Sequence, residues 1–170
     1  GMAIAGRTIQ ETTAANLLLA ALFHDTGYIQ EESDNAGTGA KYTRVHVDRS
    51  IQFVKTNHAP FGIDAMNVPA ICSIIGCTGL RSECAGDFLA DDVAAAGAIL
   101  GTADLLGQMS DRAYLEKLLF LYYEFREAGI EGFDTEFDIL RKTLDFYEGT
   151  MTRLNTTLKS CYAYAARHFE

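Results

Sequence analysis

Hydrophobic side chains recur every three or four residues along most of the chain, which is the spacing of one face of an α-helix. The first such segment covers residues 9–23 and stops before Gly27, a residue that readily adopts the left-handed conformation found after helices. Residues 31–41 are acidic and then rich in glycine, as in a loop. A second helix is predicted over residues 45–56.

Three more helices are predicted from residues that favour helix ends. Pro69 suits the first turn of a third helix. Asp91 and Asp92 place carboxylates at the positive N-terminus of a fourth, which extends to about residue 106. Ser110 suits the N-cap of a fifth helix, and Gly129 suits its C-terminal end.

The last segment, residues 134–169, has the longest apolar stripe and a suitable N-cap in Asp134. A continuous helix of this length spans roughly 50 Å, more than a small domain's width. We therefore expect it to bend, for instance near Gly149, or to overhang and pack on another subunit. The periodicity alone leaves open whether the stripe is a core face or a homodimer seam. Its members are Phe137, Leu140, Leu144, Tyr147, Met151, Leu154, Leu158, Tyr162, Ala165 and Phe169.

No segment sustains the alternation of a β-strand, so the predicted fold is an all-α helical bundle with a long C-terminal helix. The length of 170 residues predicts a single domain over residues 1–170. We divide it into a core of about residues 9–128 and a C-terminal helical extension of about residues 134–169.

The composition narrows the possible partners and the compartment. The chain has 14 basic and 23 acidic residues and a net charge of −9, which argues against a protein that coats nucleic acid or an anionic membrane. No apolar run reaches the roughly 20 residues that cross a bilayer. The four cysteines lie among apolar or small residues and no secretory signal precedes them, so we expect reduced thiols and a cytoplasmic protein.

The pair His24-Asp25 is the first candidate for chemistry. The two residues follow an apolar stretch and precede a glycine, at the predicted end of the first helix. At a helix terminus both side chains can turn toward one ion and supply a nitrogen and a carboxylate oxygen. The alternative is a histidine that interacts with the last helix carbonyls beside a turn-forming aspartate.

Three sequence elements occur in an order that matches a known family. Residues 16–28 deliver the His-Asp pair on an apolar helix, residues 45–50 place His46 at the start of the next one, and residues 98–108 place Asp104 in the middle of a later one. Together they resemble the HD-domain superfamily of metal-dependent phosphohydrolases. The resemblance extends over most of residues 9–128.

This resemblance implies a metal site and a reaction. His24, Asp25 and Asp104 would bind a divalent ion such as Mn²⁺, Mg²⁺ or Fe²⁺, and a water activated by the metal would hydrolyse a small phosphorylated molecule such as a nucleotide. Asp25 would also orient the reacting groups. His46 would bind a second metal, contact a phosphate or donate a proton to the leaving group. Asp25 and His46 are thus the expected catalytic residues.

One departure from the family supports a second hypothesis. The resemblance implies a further histidine ligand roughly thirty residues before His24, and the sequence has no histidine ahead of that position. Either that ligand lies upstream of the first residue, or the protein has lost it. In the second case we expect a non-catalytic signalling or binding module on the same helical scaffold.

Three basic residues are candidate phosphate contacts. They are Lys41, Arg49 and Arg81, chosen because a guanidinium can bind phosphate through two parallel hydrogen bonds and a lysine supplies a positive charge. The alternative for each is a solvated surface position.

Overall fold

The computed structural model describes residues 8–79, 83–84 and 91–166. Within these ranges the chain forms α-helices, short 3-10 segments and loops, with no β-strand, so the all-α prediction is confirmed. The helices are α1 (Glu11–Phe23), α2 (His46–Asn57), α3 (Val68–Gly76), α4 (Asp92–Met109), α5 (Tyr114–Glu127), α6 (Glu136–Arg141) and α7 (Thr143–Asn155). The 3-10 segments are Thr26–Tyr28, Gly39–Tyr42, Ala59–Phe61 and Cys161–Ala165.

Helix α3 lies at the centre of the main core. Its Ile71, Ile74 and Ile75 side chains are completely buried, and α1, α2 and α4 all pack against it. Ala20 of α1 and Val54 of α2 join the same hydrophobic cluster. Because all three helices pack on α3, the C-terminal end of α1, helix α2 and the middle of α4 are fixed relative to one another.

The helix ends confirm one cap and correct another. The carboxylate of Asp91 accepts hydrogen bonds from the backbone N–H groups of Val93 (2.8 Å) and Ala94 (3.3 Å), which caps α4. Ser110 does not cap α5. Its hydroxyl donates instead to the Leu106 carbonyl (2.6 Å), a local alternative open to serine at the end of the preceding helix.

The predicted long C-terminal helix is interrupted. Helices α6 and α7 meet at Lys142, and α7 ends at Asn155 before the Cys161–Ala165 segment. The break at Lys142 differs from the expected bend near Gly149, which lies inside α7. The N-cap of α6 is Thr135 rather than Asp134, because Thr135 and Asp138 form a reciprocal capping box.

The apolar stripe of this region divides into two parts. Leu154 and Leu158 are buried and pack with Leu105 of α4 in a second hydrophobic cluster, so this part is a core face. The preceding members, which follow one another in steps of three and four residues, are exposed on the described surface. They are Phe137, Leu140, Leu144 and Tyr147.

The cysteines and the membrane prediction have separate outcomes. Cys77 and Cys84 are joined as a disulfide with their Cα atoms 5.1 Å apart, so the expectation of a reduced thiol is wrong for this pair. Cys72 and Cys161 are both buried. None of the helices in the described ranges combines the length and apolar character needed to cross a bilayer.

Candidate metal centre

The His-Asp pair lies in a tight turn that follows α1. The backbone N–H of His24 donates to the Ala20 carbonyl (2.9 Å) and completes the last helical turn. The hydroxyl of Thr26 then donates to the Phe23 carbonyl (2.8 Å), which satisfies one of the carbonyls left free at the helix end. The chain leaves α1 with both side chains on the side where α2 begins and α4 passes.

Helix α2 holds this turn through two consecutive side chains. The buried hydroxyl of Ser50 donates to the His24 carbonyl (2.6 Å) and accepts from the Gly27 N–H (2.8 Å). Arg49 donates from Nε to the Gly27 carbonyl (2.7 Å) and from Nη2 to the Ile29 carbonyl (2.9 Å). These four bonds join α2 to the turn that contains the 3-10 segment Thr26–Tyr28.

Gly27 allows the turn and α2 to come close together. A Cβ atom at this position would collide with the carbonyl group of His46. The absence of a side chain is therefore what lets the turn reach the first residue of α2. The sequence pattern assigned Gly27 to the end of a helix, but the structure shows that close approach is its main requirement.

Four side chains from three distant parts of the sequence meet at this point. His24 Nε2 lies 3.3 Å from Asp25 Oδ2 and 3.8 Å from Asp104 Oδ1. His46 Nε2 lies 3.9 Å from Asp25 Oδ1. The structure thus brings together the predicted ligands His24, Asp25 and Asp104 and the predicted catalytic His46, and we call these four residues the His-Asp cluster.

Both histidines of the His-Asp cluster have a defined tautomer. Nδ1 of His24 lies 2.9 Å from the Ala21 carbonyl oxygen, and Nδ1 of His46 lies 2.8 Å from the Thr43 carbonyl oxygen. A carbonyl oxygen can only accept, so each Nδ1 carries a proton and donates it. In the neutral imidazole the lone pair is then on Nε2, the atom that faces the carboxylates.

This arrangement favours a cation in the His-Asp cluster. Lone pairs of two Nε2 atoms facing two carboxylates repel one another unless a proton or a metal ion lies between them. Imidazole nitrogen and carboxylate oxygen are donors that suit several divalent ions, and a backbone carbonyl on the opposite ring nitrogen is a common orienting contact for metal-bound histidine. The donor types therefore fit the expected ion.

The present spacing is wider than a completed ligand set. Among residues 8–79, 83–84 and 91–166, no three His, Cys, Asp or Glu side chains are arranged to hold a metal ion as they stand. Adjacent ligands about 2.1 Å from an octahedral ion lie about 3.0 Å apart. Of the three distances in the His-Asp cluster, only the 3.3 Å between His24 and Asp25 approaches that value. Metal binding would require the other side chains to move closer.

Burial changes the proton affinities at this site. Partial burial raises the pKa of Asp104 above its usual range, and the negative charge of Asp25 acts in the same direction, whereas both histidines oppose it. Burial likewise raises the pKa of Tyr28, whose ring stacks on His46. A bound cation would favour the ionised form of Asp104 and offset its desolvation.

The three candidate phosphate contacts lie elsewhere or have other partners. Arg49 holds the turn as described, and its guanidinium lies over the Tyr42 ring, 3.7 Å from the centroid. Lys41 pairs with Asp34 (2.5 Å) in the loop. Arg81 lies outside the described residues.

Two residues near the His-Asp cluster were not identified from sequence. Tyr28 stacks on His46, and Ser50 supports the turn. Ser50 lies four residues after His46 and hence on the same face of α2, which is the available sequence signal for it. The stacking of Tyr28 has no such signal, because it depends on how the turn packs against α2.

Comparisons with known proteins give one family. The model of the Npun_R2479-like family matches residues 29–159, which is 131 of the 170 residues. The matched region includes His46 and Asp104 and begins after His24 and Asp25. No curated protein and no solved structure matches the chain.

Proposed function

We propose that this chain, which belongs to the Npun_R2479-like family, is an HD-like metal-dependent phosphohydrolase that acts on a small phosphorylated molecule such as a nucleotide. The observation that carries the proposal is the meeting of His24, Asp25, His46 and Asp104, with both Nε2 atoms facing carboxylates. These are the residues that the resemblance to HD-domain phosphohydrolases selects.

The proposed ligands are His24, Asp25 and Asp104. A divalent ion such as Mn²⁺, Mg²⁺ or Fe²⁺ bound there would supply a water of lowered pKa and positive charge next to the phosphoryl oxygens. His24 presents Nε2 because its Nδ1 is committed to the Ala21 carbonyl. Asp25 contributes one oxygen beside His24 and the other beside His46, so it links the ligands to the remaining histidine.

His46 is assigned the proton-handling role in this proposal. Its ring is fixed by the Thr43 carbonyl on one edge and by Tyr28 on one face, which directs Nε2 toward Asp25. In the protonated form, Nε2–H would donate to the leaving-group oxygen as the phosphoester bond breaks. A general acid must be held in a fixed orientation toward the leaving-group oxygen, whereas a cation that only binds phosphate tolerates more freedom.

Metal binding by the purified chain tests the proposal directly. Titration of metal-free protein with Mn²⁺ in a calorimeter should give saturable binding for the wild type, and Asp25→Asn and Asp104→Asn should each weaken it at least tenfold. Asp48→Asn is the matched control, because Asp48 is an exposed carboxylate on α2. Hydrolysis of p-nitrophenyl phosphate and bis(p-nitrophenyl) phosphate should depend on Mn²⁺ and be lost in Asp25→Asn.

A negative result supports the second hypothesis. If the wild type binds neither Mn²⁺, Mg²⁺ nor Fe²⁺ and releases no p-nitrophenol, the phosphohydrolase proposal fails. The His-Asp cluster is then held by protons on the histidines, as expected for a non-catalytic binding module on the same scaffold. The wider distances from His24 to Asp104 and from His46 to Asp25 favour this alternative.

We further propose that the exposed stripe of α6 and α7 forms a homodimer seam. Phe137, Leu140, Leu144 and Tyr147 are spaced like the apolar positions of a coiled coil and are 41–64% exposed. Sedimentation at micromolar concentration should give twice the monomer mass for the wild type and the monomer mass for Leu144→Glu. A wild-type monomer at that concentration would refute the seam.

A further inference from the structure

We infer that Arg49 and Ser50 are positioning residues that hold the His24–Asp25 peptide so that both side chains face His46 and Asp104. Their polar contacts with the turn go to main-chain atoms, which distinguishes them from metal ligands and substrate contacts. The inference deepens the proposed function and rests on it for the link to metal binding.

Ser50 acts at the peptide that joins the two proposed ligands. The carbonyl it binds belongs to His24 and is part of the peptide bond to Asp25, so this hydrogen bond sets the orientation of that peptide plane. The same hydroxyl accepts from the Gly27 N–H two residues later. Ser50 is 0% exposed, so water cannot replace either bond when the hydroxyl is removed.

Arg49 acts on the far side of the same turn. It binds the carbonyls of Gly27 and Ile29, which flank Tyr28, the residue whose ring stacks on His46. Its guanidinium is itself held by the Tyr42 ring beneath it. One residue therefore connects the end of the turn to the stacking partner of His46.

The sequence placed Arg49 among phosphate contacts, and the structure gives a different use for its charge. A guanidinium whose Nε and Nη2 donate to two carbonyls is fixed in one orientation, and Nη1 lies 3.8 Å from Glu31 Oε1. Lysine lacks this fork of donors and cannot make both carbonyl bonds in the same way. Arg49→Lys is thus an informative variant that keeps the charge.

Amide hydrogen exchange on the metal-free protein tests the positioning without any metal. In Ser50→Ala the Gly27 N–H should exchange at least tenfold faster, whereas amides of Ile74 and Ile75 in the core should keep their wild-type rates. Ser50→Thr retains the hydroxyl and should restore most of the protection. Gln52→Ala, which removes an exposed hydrogen bond within α2, is the matched control.

The same variants link the turn to metal binding. Mn²⁺ affinity should fall about tenfold in Ser50→Ala and Arg49→Lys and stay near wild type in Ser50→Thr and Gln52→Ala, because supporting contacts of ligands typically contribute this much. A residue with only a structural role would lower the melting temperature and leave the affinity of the folded protein unchanged. If Ser50→Ala does not fold, Arg49→Lys provides the same comparison.

Failure of this inference and failure of the proposed function give different results. If the wild type does not bind Mn²⁺, the proposed function is overturned, and the exchange rate of the Gly27 N–H in Ser50→Ala still decides the positioning. Unchanged Gly27 exchange in Ser50→Ala overturns the inference. So does faster exchange accompanied by wild-type Mn²⁺ affinity.

Discussion

The imidazole of His46 lies flat against the ring of Tyr28, with the centroids 4.3 Å apart and the planes 17° apart. The Thr43 carbonyl holds one edge of the same imidazole through Nδ1. His46 is therefore restrained in both tilt and rotation before any ligand binds. This relationship connects the turn after α1 with the first residue of α2, and it makes Tyr28 part of the candidate site.

The stacking contact predicts a difference between two replacements of Tyr28. Tyr28→Phe keeps the ring and should bind Mn²⁺ with an affinity close to that of the wild type. Tyr28→Ala removes the ring, frees His46 to rotate, and should weaken binding by about tenfold, as the loss of an orienting contact commonly does. Calorimetric titration measures both. Equal losses would show that the hydroxyl, rather than the stacked ring, is the important group.

Gly27 and Gly149 should respond to alanine in opposite directions. At Gly27 the added Cβ meets the His46 carbonyl, and the forced shift should lower the free energy of unfolding by about 2 kcal/mol. At Gly149, in α7, the Cβ enters open space, and alanine should raise it by about 0.5–1 kcal/mol. Urea denaturation gives both values. A neutral Gly27→Ala would contradict the close approach of the turn to α2.

The loop before α2 should have a distinct response to acid. Hydrogen bonds from Lys41 and Tyr42 lower the pKa of Asp34 from 3.8 to about 2. A folded-state pKa below the unfolded one means that these contacts stabilise the loop above about pH 4 and lose that effect as the pH falls through 2. Measurement of the Asp34 titration by NMR should show this value.

Removal of one donor provides the check on that titration. Lys41→Gln should move the pKa of Asp34 back toward 3.8, because the hydrogen bond from Lys41 does most to lower it. Lys117→Gln is a suitable control, since Lys117 pairs with Asp111 instead. An Asp34 pKa that is insensitive to Lys41→Gln would show that the ion pair does not form in solution.

Two leucines of the same stripe should differ strongly in their contribution to stability. Leu154 is 2% exposed and packs with Leu105, so Leu154→Ala should cost about 2–5 kcal/mol of unfolding free energy. Leu144 is 64% exposed, and Leu144→Ala should change the stability of the monomer by no more than about 0.5 kcal/mol. Thermal denaturation of dilute samples distinguishes the two. Similar losses would mean that Leu144 is covered.

Helix positions were predictable from sequence because they depend on local signals. Pro69, Asp91 and Gly129 each mark a helix end through backbone geometry or capping, and the structure places helix ends near all three. The error at Ser110 arose because two polar residues compete there. Asp111, the neighbour of Ser110, accepts from the Ala113 N–H at the start of α5.

The packing of the C-terminal apolar stripe, and the break in its helix, could not be predicted in the same way. Periodicity reveals an apolar face but does not reveal what packs against it: within the described part of the stripe, Leu154 and Leu158 pack on Leu105 of α4. At the break, the hydroxyl of Thr143 donates to the Ile139 carbonyl (2.9 Å), a local contact that the spacing of apolar residues does not encode.

The candidate site was predictable as a set of residues and unpredictable as an arrangement. The motif order selected His24, Asp25, His46 and Asp104, which the fold brings together. The charges of Lys41 and Arg49 suggested phosphate binding, yet both have partners in the loop and turn. Charge alone indicates what a side chain can bind, whereas the nearest available acceptor decides what it does bind.

The long sequence separation within the His-Asp cluster also affects folding. Asp25 and Asp104 are 79 positions apart, and they approach each other only when α4 has docked on α1. Closing so large a loop costs entropy that contacts within the local helices do not offset, so we expect the cluster to be completed late in folding. An ion that requires both carboxylates would then bind the native chain in preference to its unfolded precursors, and its uptake would report the completion of folding.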